Sequence, residues 1–500
     1  MGIVCNKSRP LSAAVTVVLL LFLTLASAQS TDYVLKRIQD IEPTAGDAFS
    51  SGIALSDSEL FVGAPNYDYF QIDRFGVVHV FKKNPVGEWK IVQTLTSQTN
   101  ERNHLFFGRE VHYAGGELFI SSVSNVKDNG STKNRAGSVE CFRRDDHGNW
   151  TFVQLLTAPD PQNNDQFGSA IDRDGDWLVI GAPLHDYDVN GADFMSDAGA
   201  VYMFHKEDTG WAFHRKLTSG LRSQTMRFGS PLSLHKDRLL VGTFFDRVFD
   251  FNYDGFTWRY NDFYDPTAPP RKSFGSALVQ SDRWVAIGAS TEVAPGSDDK
   301  IGSVYIYRKE GSRLRLITKV KPHSEVRGGF GMAIAVMNDR LVVSSPNLNH
   351  WNIADAGCIY VYKVGNTQTV ELVDNVCHNS YEAGTFARKI ESVGGRILIS
   401  SPNSPQRDQK GNIIGSPAGA AFIVDYDFEY PTVECPTLYP NPASASVRLY
   451  PQGETMPELY NSSGQRSEIR KTQDGLDVSH LRSGIYFLRS GTCSYRLMLE

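Results

Sequence analysis

Five hundred residues exceed what one compact core ordinarily supports, so the chain must hold an extended repeat or at least two domains. The composition is globular and favours β structure: 41% hydrophobic and 21% charged residues, with 43 Gly for turns and 28 Phe and 21 Tyr suited to pleated, half-buried surfaces. A formal charge of −6 and the lack of any basic tract exclude the phosphate-neutralising surface that a nucleic-acid partner needs.

At the N-terminus Lys7 and Arg9 precede an apolar run, Ala13 to Leu25, that ends in Ala26-Ser27-Ala28. The pattern reads as a signal peptide over residues 1–28; the other reading, an uncleaved anchor, is disfavoured by a run short for a bilayer. Cleavage removes two bases and no acid, taking −6 to −8, and no later stretch is long enough for a transmembrane segment. Five cysteines then remain, Cys141, Cys358, Cys377, Cys435 and Cys493, an odd number that leaves at least one thiol free and has no zinc-site spacing.

A Phe followed by a small residue recurs at Phe49, Phe107, Phe167, Phe228, Phe274, Phe330 and Phe386. Fourteen residues after each begins a small-residue element, as in Gly63-Ala64-Pro65, Gly181-Ala182-Pro183, Gly288-Ala289-Ser290 and Ser400-Ser401-Pro402. Three apolar residues precede each element, as Leu178-Val179-Ile180 does, and imply a strand covered on both faces. A third strand of Gly-x-Val-x-Val-Phe type follows a variable loop, and a fourth opens with Trp89, Trp150, Trp211 or Trp258 in four copies. Seven four-stranded meanders, none able to bury both faces alone, predict an all-β, seven-bladed β-propeller over residues 29–428. The last unit stops after its third strand, whereas Tyr33 to Ile38 resembles a fourth strand standing before the first unit. The N-terminal strand is therefore expected to complete the last blade and close the ring.

Phe167-Gly168-Ser169-Ala170 with Gly181-Ala182-Pro183, and Phe274-Gly275-Ser276-Ala277 with Gly288-Ala289-Ser290, resemble the FG-GAP repeats of integrin α-subunit propellers. Such repeats often carry a calcium loop between these two motifs. Here the link is a tight turn, Asp172-Arg173-Asp174-Gly175-Asp176, so the family's usual calcium site is not expected.

After an extended linker, 429–434, the pattern changes. Leu438-Tyr439-Pro440-Asn441-Pro442, Leu459-Tyr460-Asn461, Leu476-Asp477-Val478-Ser479 and Ser483-Gly484-Ile485-Tyr486 resemble, in order, the type A C-terminal sorting domain of type IX (Por) secretion over residues 435–500. Its short alternating strands suit a small β-sandwich. The resemblance implies recognition by the type IX machinery, after export to the periplasm, and delivery outside the cell, released or attached at the surface.

In a meander the loops between strands two and three share a side with the blade-to-blade crossings, and these are the loops that vary; function is expected on that face. Its densest polar segment offers Asp186, Asp188, Asn190 and Asp193 around Gly191, oxygen ligands of the kind calcium takes, or equally a solvated turn. Tyr67, Asp68, Tyr69, Arg74, Tyr187, His350 and Trp351 offer stacking and hydrogen-bonding groups for a glycan or protein ligand, or else pack the loops together. Cys358 and Cys377 fall near one rim, which suits a local disulfide, and Cys141 sits within a strand as a buried thiol. No Gly-x-Ser-x-Gly, His-Glu-x-x-His or P-loop occurs. The expected function is a non-enzymatic binding or adhesion module; a polysaccharide hydrolase or lyase, and a structural surface scaffold, are the alternatives.

Overall fold

The constant offset of fourteen residues is the register of a hairpin. In blade three, strand one (Ala170–Asp174) turns through Gly175 and Asp176 and returns as strand two (Trp177–Ala182), setting the amide of Gly168 on the carbonyl of Gly181. The same amide-to-carbonyl bond joins Ser50 to Gly63, Gly108 to Ser121, Gly229 to Gly242, Gly331 to Ser344 and Ala387 to Ser400, at 2.8 to 3.3 Å. Strands three (Ala200–Glu207) and four (Gly210–Leu217) complete the antiparallel blade.

This computed structural model describes residues 35–38, 46–67, 75–98, 104–244, 246–264, 273–293, 296, 298–322, 328–349, 355–365, 369–378, 386–407, 413–426, 437–439, 446–450, 458–461, 466–468, 470–471, 476–490 and 493–499. The chain divides into two units, Met1–Tyr426 and Asp427–Glu500. The leader and the 429–434 linker lie outside the described residues.

Seven blades make the first unit, and the last is closed as expected: Lys36–Ile38 pairs antiparallel with Ala420–Asp425, Lys36 opposite Ile423 and Ile38 opposite Ala421. The innermost strands touch in succession around the ring, and the seventh, Ile390–Val393, touches the first, Ile53–Leu55. Apolar cores lie between blades rather than within them. One joins Phe119 and Val139 of blade two to Leu178, Tyr202 and Trp211 of blade three; another joins Ile38, Leu398 and Ala421 of blade seven to Phe49 and Leu60 of blade one. This explains strand two, which is apolar on both faces because a blade covers each.

The blade seam is mostly backbone. In five repeats the Phe amide donates to a carbonyl at the start of the preceding blade's third strand: Phe49 to Ala418, Phe107 to Phe75, Phe167 to Ala136, Phe228 to Ala198 and Phe330 to Ile301, at 2.8 to 3.2 Å. A β-carbon on Gly63, Gly181 or Gly288 would stand within 3.0 Å of the carbonyl of Gly108, Gly229 or Gly331 in the next blade. The small residue is there because the neighbour's main chain takes its space. Side chains add a second clamp further out: the Gln93 amide brackets the backbone N–H and carbonyl of Trp150, and Gln154 those of Trp211, at 2.8 to 2.9 Å. The fourth-strand Trp thus packs on the preceding blade, Trp150 on Phe61 and Trp211 on Phe119. In six blades the third and fourth strands slip register at one equivalent place, such as Met203/Phe204 and Ile306/Tyr307, a bulge that increases twist.

Two connections expected as loops carry hairpins instead, Val126–Asp128 with Ser131–Lys133 and Pro405–Arg407 with Ile413–Pro417. Cys358 and Cys377 form a disulfide across strands three and four of blade six. Cys377 ends the fourth strand, directly opposite Cys358. Cys141 is a buried free thiol. The second unit holds two four-stranded antiparallel sheets, one built around Ser446–Tyr450 and the other around Glu458–Asn461 and Gly484–Ser490, with Leu459, Leu476 and Val478 buried.

Ring closure generates a test. The buried Ser50 hydroxyl donates to the carbonyl of Ala420 at 2.7 Å and accepts from the amide of Ser401 at 3.0 Å, tying blade one to blade seven. Ser50→Ala removes both hydrogen bonds from a buried seam and is expected to destabilise the propeller by about 1–3 kcal/mol. A denaturation midpoint unchanged from wild type would show that closure does not depend on this contact.

Candidate functional site

The first strands line a channel along the ring axis, a cavity of about 500 Å³. Glu110, His112, Asp172, Lys389 and Glu391 face it. Glu110 pairs with Lys389 at 2.5 Å, and His112 Nε2 lies 3.7 Å from Asp172 Oδ1. The tight turn in place of a calcium loop redirects its acids: Asp172 accepts from the amide of Leu234 and Asp174 from that of Lys236, both at 2.6 Å, stitching blade three to blade four. Burial raises the Asp172 carboxyl to about 6 despite the amides of Leu234 and Arg173, and lowers the His112 imidazole to about 4. Burial, with the neighbouring Glu110 charge, raises Glu391 to about 8. Glu391 is exposed to the channel itself, while the surrounding blades enclose it at longer range and supply the desolvation.

A wider cavity of about 660 Å³ opens on the variable face and shares Ser169, Ser230, Pro231, Ser276 and Met332 with the channel, forming its mouth. Four of these, with Arg109, hold the position directly after the repeat Phe-Gly in blades two to six, where strand one begins. Thr243, Phe244, Ser290 and Thr291 come from the ends of the small-residue elements. Arg227 stands over the Phe244 ring at 5.1 Å, and that ring is 63% exposed.

Beside the mouth in sequence, the 186–193 loop is built around an internal cation. The Arg222 guanidinium, 8% exposed, donates to the Asp193 carboxylate at 2.7 Å and to the backbone carbonyls of Asp193 and Asp186 at 2.8 and 2.7 Å. Asp188 accepts from the amides of Ala192, Asn190 and Asp193, which hold it below the usual carboxylate range, and Asp186 accepts from the amide of Asp197. The carboxylates thus face different partners, and among the described residues no three His, Cys, Asp or Glu side chains converge as a metal site would. Below the loop, His185 bonds Asp165 at 3.0 Å and approaches Lys216 at 3.3 Å, while Asp160 takes Lys216 and Tyr202, a network that anchors the loop to the crossing.

Of the aromatic candidates, Tyr187 packs edge-on against Phe194 at 5.5 Å, and Tyr67 against His79 at 6.2 Å in blade one. Asp68, Tyr69, Arg74, His350 and Trp351 lie outside the described residues. Sequence reasoning passed over the mouth. Its signal was available in the repeat alignment, as the residue after each Phe-Gly, but required knowing that strand one is innermost.

The channel generates a pH test. Glu391 is raised above its unfolded value of about 4.5, so the stability tied to its protonated form is fully present below that pH and is lost as pH rises through about 8. Glu391→Gln, which mimics the protonated group, is expected to match wild type at pH 4.5 and to melt higher at pH 9. Thermal melts that stay parallel across this range would contradict the assignment.

Residues 150–204 match the FG-GAP repeat family model, from the fourth strand of blade two through the third of blade three, so the matched unit spans the seam at Phe167-Gly168. Residues 437–496 match the secretion system C-terminal sorting domain. No curated protein matches the chain. Among the described residues no helix is long and apolar enough to cross a membrane. The chain is a seven-bladed β-propeller carrying the FG-GAP repeat, joined to a sorting domain of type IX secretion that directs it out of the cell.

Proposed function

We propose that the exported propeller is a binding module that holds a glycan or protein ligand on its variable face, at or beyond the cell surface. The observation that supports this reading most is the axial mouth, a concave cavity set where five blades converge and ringed by the variable loops. A rigid scaffold presenting variable loops around a cavity is the arrangement recognition favours. The sequence candidates Tyr67, Asp68, Tyr69, Arg74, Tyr187, His350 and Trp351, all in variable connections, would supply further stacking and hydrogen-bonding groups for such a ligand. Delivery outside the cell gives such a module access to polymers and surface proteins.

One observation favours a second reading, a polysaccharide hydrolase or lyase: Glu391 keeps its proton near neutrality in the channel, as a general acid must. The two readings part in one experiment, in which the purified exported chain is applied to glycan and matrix-protein arrays and incubated with the same polysaccharides. The binding reading expects saturable retention with no shortening of the polymer. Silence on both arrays together with new chain ends would transfer the assignment to the enzyme.

A further inference from the structure

We infer that the axial mouth takes an acidic saccharide, holding a sugar carboxylate between Arg109 and Arg227; this rests on the binding reading above. Charge segregation is the first argument. The chain carries −6, yet the described residues lining the 660 Å³ mouth include two arginines and no Asp or Glu. Neither Arg109 nor Arg227 has a carboxylate partner among the described residues, whereas other arginines, such as Arg222, Arg238 and Arg396, are matched with acids. Both unmatched guanidinium groups are exposed on the same cavity. A guanidinium presents a planar fork that fits a carboxylate, and a concave, partly dry setting strengthens the pairing.

The rest of the lining fits a sugar. Hydroxyls of Ser169, Ser230, Ser276 and Thr291 surround the cavity. Several are already oriented: Ser169 donates to the Gln166 carbonyl at 2.7 Å, and the Ser273 and Thr291 hydroxyls lie 2.8 Å apart, leaving acceptor lone pairs for ligand hydroxyls. Phe244, 63% exposed, supplies an apolar patch for the C–H face of a pyranose, and its ring holds Arg227 in place. The volume lies within the range of small-ligand sites and accommodates one or two sugar units. A peptide side chain would prefer deep apolar pockets to this hydroxyl-rich wall.

The test titrates the full exported chain with uronate- and sialate-bearing oligosaccharides, each beside its methyl ester, and with polyglutamate. Binding of at least one acidic sugar is expected, abolished by esterification and weakened by salt. Arg109→Gln and Arg227→Gln should each cost about 10- to 100-fold in affinity, the loss of one charge-assisted hydrogen bond. Arg315→Gln, on an outer strand, should cost nothing, and melting temperatures of all three should match wild type. Equal binding of the esters, or affinities untouched by both mouth variants, overturns the inference while leaving the binding reading intact. Polyglutamate bound as tightly as the uronates overturns the saccharide class. If no array ligand and no titrated compound binds, the inference and the binding reading fail together.

Discussion

The structure depends on how closely the main chains of adjacent blades approach. At the seams that follow blades one, three, four and five, the turn carrying the repeat Phe-Gly presses its carbonyl into the space where the preceding blade would carry a side chain, and the Phe amide is paired across the same boundary. At Gly63, Gly181, Gly242 and Gly288 glycine is a steric requirement, because a β-carbon would stand within 3.0 Å of the next blade's backbone, whereas the seams after blades two, six and seven admit Ser121, Ser344 and Ser400. The Phe side chain then fills the inter-blade core. One short motif thereby sets hairpin register, blade spacing and core packing at once, and this is why it recurs while the loops between copies drift.

The seams that depart from the motif show the same constraint met by other means. Where Arg247 replaces the third-strand glycine, the seam amide of Phe274 is taken by the Asp246 carboxylate at 2.9 Å instead of a main-chain carbonyl. Ser50 and Ala387 replace the motif glycine in blades one and seven and still adopt left-handed backbone, φ 72° and 67°. That conformation costs roughly 1–2 kcal/mol for a residue with a side chain. At Ser50 the hydroxyl offsets the cost with two hydrogen bonds to blade seven, at the point where the ring is joined.

Much of this was legible in the residues. The spacing from Phe to the small-residue element is a covalent consequence of hairpin register, and the unmatched strand at Lys36–Ile38 had only one edge left to complete. Local pairing also brought Cys358 opposite Cys377. What the residues did not disclose depends on the third dimension. Acidic residues at 186–193 read equally as ligands for a cation or as a solvated turn, because the guanidinium they surround comes from Arg222, 29 to 36 residues away. Arg109 comes from blade two and Arg227 and Phe244 from blade four, with no shared local pattern; only closure of the ring gathers them at the axis.

The seam account is tested most directly by one substitution made at two glycines of the same hairpin. Gly181 has no unusual backbone angle but meets the Gly229 carbonyl, whereas Gly175 has φ 57° and open space around it. Chemical denaturation of Gly181→Ala and Gly175→Ala compares steric exclusion at the seam with backbone strain alone. The account predicts a loss of roughly 3 kcal/mol or more for Gly181→Ala against about 1 kcal/mol for Gly175→Ala. Equal losses, or a larger loss at Gly175, would contradict it.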